Sequence, residues 1–235
     1  MKFNDDFIGY PKINTVTQFS GGDDEERFNN NLKVQPNDWY YRNCSITYKF
    51  NNLGHRCKNV DDINLDNYIL FTGCSHTEGV GLELEKTFPY LTANSLGMDY
   101  YNLALGGSGI DVMTHNLMMW IHTVHKLPKA LVIMWPETTR YSLLQKNPNL
   151  LSLEVPTNTT SANSENFMVT GNIINFFETV RCMSKKIINA AYTCKTIHLD
   201  TGILAGQDRA RDLSHAGILQ NHSVADKLVQ RLRVE

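Results

Sequence analysis

The chain has no surplus of either charge. Its 235 residues carry 22 lysines and arginines against 24 aspartates and glutamates, a formal net charge of −2. Nucleic-acid binding demands a concentrated basic face, so no nucleic-acid partner is expected. No run of about 18 apolar residues occurs, so no membrane span is expected. The opening residues, MKFNDDFIGYPKIN, contain two adjacent aspartates and no long apolar core, unlike a secretory signal. Cys44, Cys57, Cys74, Cys182 and Cys194 include no Cys-x-x-Cys pair. An odd, scattered set reads as reduced thiols, not as a disulfide frame or zinc site, and points to the cytoplasm. Gly106-Gly107-Ser108-Gly109 lacks the lysine of a phosphate-binding loop, and the dinucleotide fingerprint is absent, so no cofactor is expected. His115, His122 and His125 share a helical stretch with no carboxylate at ligand spacing, which argues for surface residues and no metal.

What remains is the composition of one globular α/β domain. Hydrophobic residues make up 42 % and charged residues 20 %, enough apolar material for a full core at this length. Tyr68 to Phe71, Tyr100 to Leu105, Ala130 to Trp135 and Thr196 to Leu199 are short apolar runs of the kind that form buried strands. Between them lie helical patterns: Leu82, Leu84, Phe88, Leu91 and Leu96 up to Gly97, then Val112 to Val124, then Ile173, Phe176, Phe177, Val180, Met183, Ile187 and Ile188. Ile218, Leu219, Ala225, Leu228, Val229 and Leu232 predict a closing amphipathic helix. Alternating strands and helices call for a mainly parallel sheet between helical layers, a flavodoxin-like three-layer α/β/α fold.

Residues 1–45 read as an N-terminal arm, partly irregular, and 46–235 as the domain. The first 38 residues are polar, with the acidic run Asp23 to Glu26, and either lie on the domain or form a loose surface stretch. Ile46, Tyr48 and Phe50 alternate with Ser45, Thr47 and Lys49, a half-buried strand ended by Asn51-Asn52-Leu53-Gly54. Asn147 to Gly171, rich in Asn, Thr, Ser and Pro, reads as a lid at the mouth of the site or as a variable surface insertion.

Chemistry is concentrated in two places. Ser75 follows the first strand run and Gly73, where an open α/β sheet places its ligands. A nucleophilic serine needs a base and a group that orients the base, and Asp212-Leu213-Ser214-His215 before the last helix supplies such a pair, although Asp212 could equally cap that helix. Cys74 beside Ser75 reads as a buried thiol.

Taken in order, Gly73-Cys74-Ser75, Ser75-His76-Thr77-Glu78-Gly79, the glycine cluster after Tyr101-Asn102-Leu103-Ala104, and Asp212-Leu213-Ser214-His215-Ala216-Gly217 resemble the SGNH or GDSL family of serine hydrolases. Tyr48-Lys49-Phe50-Asn51-Asn52-Leu53-Gly54-His55-Arg56 is similar to the element that precedes the domain in many members. The likeness covers roughly residues 46 to 232 and is weakest between 140 and 195. It implies Ser75 as nucleophile, His215 as general base and then acid, and Asp212 as the orienting carboxylate. The oxyanion would be held by the backbone N–H groups of Ser75 and Gly107, with Gly106 and Gly109 as rivals to Gly107. Such donors each lower the barrier by about 3–4 kcal/mol.

Two positions depart from the family's pattern. Cys74 replaces its usual aspartate. Met134-Trp135-Pro136-Glu137-Thr138-Thr139 lacks the asparagine that donates a third oxyanion hydrogen bond; Thr138 or Thr139 could replace it, while ionised Glu137 only accepts. If one donor is missing, activity falls by roughly 10²- to 10³-fold. The resemblance implies a serine esterase or acylhydrolase acting on a carboxylic ester or O-acetyl group, on a small-molecule or sugar-borne substrate. The alternatives are a catalytically weak or inactive binding or structural module of the same fold, and an O-acyltransferase using the same triad.

Overall fold

The computed structural model describes residues 12–137, 143–147, 150–154 and 173–234. The polar N-terminal stretch is tied into the rest. Strand β1 (Val16–Thr17) pairs antiparallel with β2 (Tyr48–Lys49), and helix α1 (Glu25–Val34) lies between them in sequence. Asp24 starts α1 by accepting a hydrogen bond from Arg27 N–H at 2.6 Å, with Glu25 and Glu26 in the first turn, where the helix dipole favours anions. The alternation read over 45–50 holds in burial: Ile46, Tyr48 and Phe50 are inside, Thr47 and Lys49 outside. Only two of these residues join a ladder, because Asn51 turns the chain by accepting from the N–H groups of Leu53 and His55.

The main sheet follows. Strand β3 (Tyr68–Thr72) leads through α2 (Ser75–Glu78) and α3 (Phe88–Leu96) to β4 (Asp99–Asn102), and α4 (Ile110–Val124) carries the chain to β5 (Ala130–Trp135). An antiparallel hairpin of β6 (Leu143–Asn147) and β7 (Leu150–Glu154) precedes α5 (Ile173–Ala191), β8 (Lys195–Asp200) and α6 (Ile218–Arg233). The four strands of the sheet are parallel, in the order β4-β3-β5-β8, and helices flank them on both sides: the three-layer α/β/α class read from the sequence.

Strand periodicity builds the two cores. Tyr68, Leu70, Leu131 and Ile133 pack with Leu117 and Trp120 of α4 and Ile188 of α5. Their neighbours Ile69, Phe71, Val132 and Met134 pack on the other face with Phe88 of α3 and Val224 and Leu228 of α6. Burial on both faces is why these strands appear as continuous apolar runs. Each such side chain contributes about 1.5–3 kcal/mol on leaving water. Tyr68 and Trp120 carry polar atoms into this core in a paired chain: Trp120 Nε1–H donates to the Tyr68 hydroxyl at 3.0 Å, which donates to the Lys126 carbonyl at 2.7 Å.

Some elements differ from the sequence reading. The stripe from Leu82 to Leu96 is not one helix. Leu84–Lys86 forms a single 3-10 turn and α3 starts at Phe88, with Pro89 in the first turn, where its missing N–H costs nothing. The second apolar run leaves the ladder at Asn102, although Leu103 N–H still reaches the Phe71 carbonyl at 2.8 Å. On α5, Val180, Ser184 and Ile188 face inward at four-residue spacing, leaving Met183 and Ile187 exposed. The stretch expected as a lid begins inside the β6–β7 hairpin, and the rest of it, with Thr138 and Thr139, lies outside the described residues. Among the described residues, no helix is long and apolar enough to cross a membrane.

From β3 the chain moves to β4 on one side, and from β4 it crosses back to β5 on the other. The C-terminal end of β3 is therefore the topological switch point, the usual ligand crevice of an open α/β sheet. Ser75 stands there.

Candidate active site

Ser75 is the first residue of α2, and its amide has no acceptor within the helix. The turn that presents it depends on Gly73: a Cβ there would lie 2.1 Å from Thr77 Oγ1 and 3.1 Å from the Met134 carbonyl. No larger residue fits so close to α2. Cys74 is fully buried and takes no place beside Ser75 in the crevice.

The second half of the site comes from the loop before α6. Ala210 N–H donates to the His215 carbonyl at 3.1 Å, and Gly217 N–H and Leu219 N–H both bond to Asp208, so the loop closes on itself ahead of the helix. Leu213 adopts φ +56°, an uncommon left-handed conformation for a leucine. That bend lets Asp212 Oδ1 accept from the N–H groups of Ser214 and His215, each at 3.1 Å. Asp212 is thus occupied within its own loop and does not cap α6. Its Oδ2 lies 2.5 Å from His215 Nδ1, and His215 Nε2 lies 2.7 Å from Ser75 Oγ. Residues 140 positions apart in sequence meet in one hydrogen-bonded line.

Electrostatics suit that line. The Asp212 side chain is fully buried, which by itself would raise its carboxyl; hydrogen bonds from the His215 ring and from the His215 and Ser214 amides, with the imidazole's charge, outweigh burial and hold it below its ordinary value. An ionised Asp212 keeps a proton on Nδ1, leaving Nε2 to accept from the Ser75 hydroxyl.

The glycine cluster is stitched to the same strand end. Leu105 N–H and Ser108 Oγ–H both donate to the Gly73 carbonyl, at 3.4 and 3.1 Å. Gly106 N–H donates to Glu78 Oε2, so that amide is already engaged; Gly107 follows with φ +82°, a conformation glycine adopts without strain. Glu137 is exposed at the surface.

Several residues of this region carried no role in the sequence reading. Asn102 spans α2 and β4, donating to the Thr77 carbonyl at 2.8 Å while accepting from Ala104 N–H. Glu78 is buried under the glycine turn, its Oε1 has no hydrogen-bond partner among the described residues, and burial pushes its carboxyl up. The His76 ring meets the His215 ring edge-on at 4.8 Å. Asp23, Arg27 and Arg211 surround the Asp212 loop. For Arg211 the only sequence signal is adjacency to Asp212, and Asp23 belongs to an acidic run in a stretch that reads either as an arm lying on the domain or as a loose surface segment. His115 and His122 are exposed on α4 and His125 is exposed at its C-terminal cap, and among the described residues no three His, Cys, Asp or Glu side chains come together to hold a metal ion.

No family model matches the chain, and no curated protein matches its sequence. Among solved structures, a family two carbohydrate esterase from Clostridium thermocellum in complex with cellohexaose matches at 12 % identity and TM-score 0.41, over 72 % of this chain and 64 % of that one. An acetyl xylan esterase from the rumen bacterium Butyrivibrio proteoclasticus matches at 14 % identity and TM-score 0.42, over 71 % and 63 %. A family two carbohydrate esterase from Corynascus thermopiles, carrying a carbohydrate-binding domain, matches at 16 % identity and TM-score 0.37, over 71 % and 54 %.

Proposed function

We propose that the protein is a serine ester hydrolase of the SGNH type, acting through an acyl-serine intermediate. The observation that carries this reading is the line from Ser75 Oγ to His215 Nε2 at 2.7 Å and from His215 Nδ1 to Asp212 Oδ2 at 2.5 Å, at the switch point of the sheet. In the first half-reaction Ser75 Oγ bonds to the ester carbonyl carbon as its proton passes to His215 Nε2. Collapse of the tetrahedral intermediate breaks the bond to the alcohol oxygen, which leaves with that proton. Water then attacks the acyl-serine, giving its proton to His215, and Ser75 is restored as the carboxylic acid departs. Asp212 keeps the imidazole in the required tautomer and balances its charge.

The backbone N–H groups of Ser75 and Gly107 are the proposed oxyanion donors. Commitment of the Gly106 amide to Glu78 favours Gly107 over that rival. The proposed substrate is a small or sugar-borne carboxylic ester. A surface recess of about 310 Å³ on α1, lined by Asp24, Glu26, Arg27 and Asn30, offers hydroxyl-binding groups beside the Asp212 loop, which Arg27 touches through Ser214.

Pre-steady-state hydrolysis of p-nitrophenyl acetate tests the reading. The expected result is a burst of nitrophenolate that scales with enzyme, an acetyl group recovered on Ser75 and loss of both in Ser75→Ala. A folded wild-type protein that gives neither burst nor acetyl-serine contradicts it.

A further inference from the structure

The residues that pack on the Asp212 loop from outside belong to the N-terminal stretch. Arg211, immediately before Asp212, is buried, and its backbone and guanidinium are both held. Its N–H donates to the Gly81 carbonyl at 3.0 Å and its carbonyl accepts from Asn31 Nδ2 at 2.9 Å. Its guanidinium forks onto Asp23, with Nε 2.9 Å from Oδ1 and Nη2 2.7 Å from Oδ2, while Nη2 also donates to the Gln18 carbonyl at 2.5 Å. Asp23 is itself fixed: the Tyr48 hydroxyl donates to its Oδ2 at 2.5 Å and accepts from Gly81 N–H at 2.8 Å. The result is a closed ring from Asp23 through Arg211, Gly81 and Tyr48 back to Asp23, joining the N-terminal stretch to the segment after Ser75 and to the Asp212 loop.

Two further contacts touch the proton-relay line directly. Gly22 lies over it, since a Cβ at that position would stand 3.6 Å from Asp212 Oδ2 and 3.9 Å from His215 Cε1. Arg27 Nη1 donates to Ser214 Oγ at 3.0 Å and sits 3.9 Å from Asp212 Oδ2. Both help to close water off from a carboxylate whose side chain has no exposed surface.

We infer that residues 18–31 are a working part of the catalytic site, with Asp23 as the positioning residue: through Arg211 it sets where Asp212 and His215 stand relative to Ser75. This inference rests on the hydrolase reading of those three residues. Apolar residues of similar volume often stabilise as well as a buried ion pair, whereas the two-pronged fork of Arg211 on Asp23 fixes the relative orientation of the two side chains. A catalytic base displaced by about 1 Å loses roughly 10²-fold in rate.

The test compares wild type, Asp23→Asn and Arg27→Gln by two readouts: the second-order rate of Ser75 phosphonylation by a fluorophosphonate, and the downfield proton resonance of the Asp212–His215 hydrogen bond. Asp23→Asn, if folded by circular dichroism, is expected to label roughly 10²-fold more slowly with that resonance shifted or broadened. Arg27 is on the surface, so Arg27→Gln keeps the fold and is expected to label about fivefold more slowly for the loss of one hydrogen bond. Wild-type rates in both variants overturn the inference, as does slower labelling of Asp23→Asn with an unchanged resonance, which would give Asp23 a stability role alone. Should Asp23→Asn not fold, a wild-type rate in Arg27→Gln is enough to overturn it. An unlabelled, folded wild type defeats the hydrolase reading instead, and the resonance then decides the positioning role by itself.

Discussion

Replacing Glu78 by Gln should stabilise the protein at neutral pH and leave it unchanged in acid. The Glu78 carboxyl is buried, its Oε2 accepts the Gly106 N–H, and its Oε1 has no hydrogen-bond partner among the described residues. Burial raises its pKa, against the opposing pull of Lys12, the Gly106 hydrogen bond, Arg56 and His215. The unfolded chain loses this proton near pH 4.3, whereas the folded protein holds it to higher pH. Over that window the folded state binds more protons, so the Glu78 contribution to stability is fully present below about pH 4.3 and is lost as pH climbs through the raised folded value. Asp212 acts in the opposite sense, its lowered carboxyl adding stability that disappears only in acid, below about pH 3.9. Glutamine has the shape of the neutral acid and keeps an acceptor for Gly106. Removing an ionised, half-satisfied acceptor should recover about 1–2 kcal/mol. At about 2–4 °C per kcal/mol for a chain of this length, the melting temperature at pH 7.5 should rise by roughly 2–8 °C. Differential scanning calorimetry of both proteins from pH 4 to pH 8 reads this directly. The two curves should converge near pH 4 and separate above it; parallel curves, or a variant no more stable than wild type at pH 7.5, refute the account of Glu78.

Three other perturbations have definite outcomes. Asp212→Asn removes the carboxylate that fixes the His215 tautomer and should lower kcat by roughly 10⁴-fold with little change in KM, measured by steady-state ester hydrolysis. Gly73→Ala forces a methyl group into the space of the Thr77 side chain and should cost about 1–3 kcal/mol in chemical denaturation, with slower acylation of Ser75. Tyr48→Phe leaves the buried Gly81 N–H without its acceptor and should cost a further ~1–3 kcal/mol, seen as a lower urea midpoint at unchanged slope.

The sheet was readable because of how it is buried. Tyr68–Thr72 and Ala130–Trp135 have a helix layer on each face, so every residue is apolar or enclosed and the strands stand out as short runs. The reading failed where local pattern and packing disagree: Leu82 belongs to a separate cluster with Tyr41, Ile46 and Tyr48, although its spacing places it on a helix with Leu84 and Phe88. Ser75, His215 and Asp212 were each legible only as a residue type in a motif. What joins them is contact across 140 positions, which sequence spacing does not encode. The Asp23–Arg211 pair spans 188 positions and has no motif at either end, so nothing in the acidic run Asp23 to Glu26 singles out Asp23 as one half of a buried ion pair. Gly107 could not be separated from Gly106 until the Glu78 contact was visible, since a carboxylate 28 positions before Gly106 gives no hint of which amide it takes.

The central claim is that His215 activates Ser75. Intact-mass and peptide analysis after treatment with a fluorophosphonate measures this most directly. The account predicts a single adduct on Ser75 in the wild-type protein and its disappearance in a folded His215→Ala variant. A folded wild type that stays unmodified, or an adduct that forms equally well without His215, would contradict it.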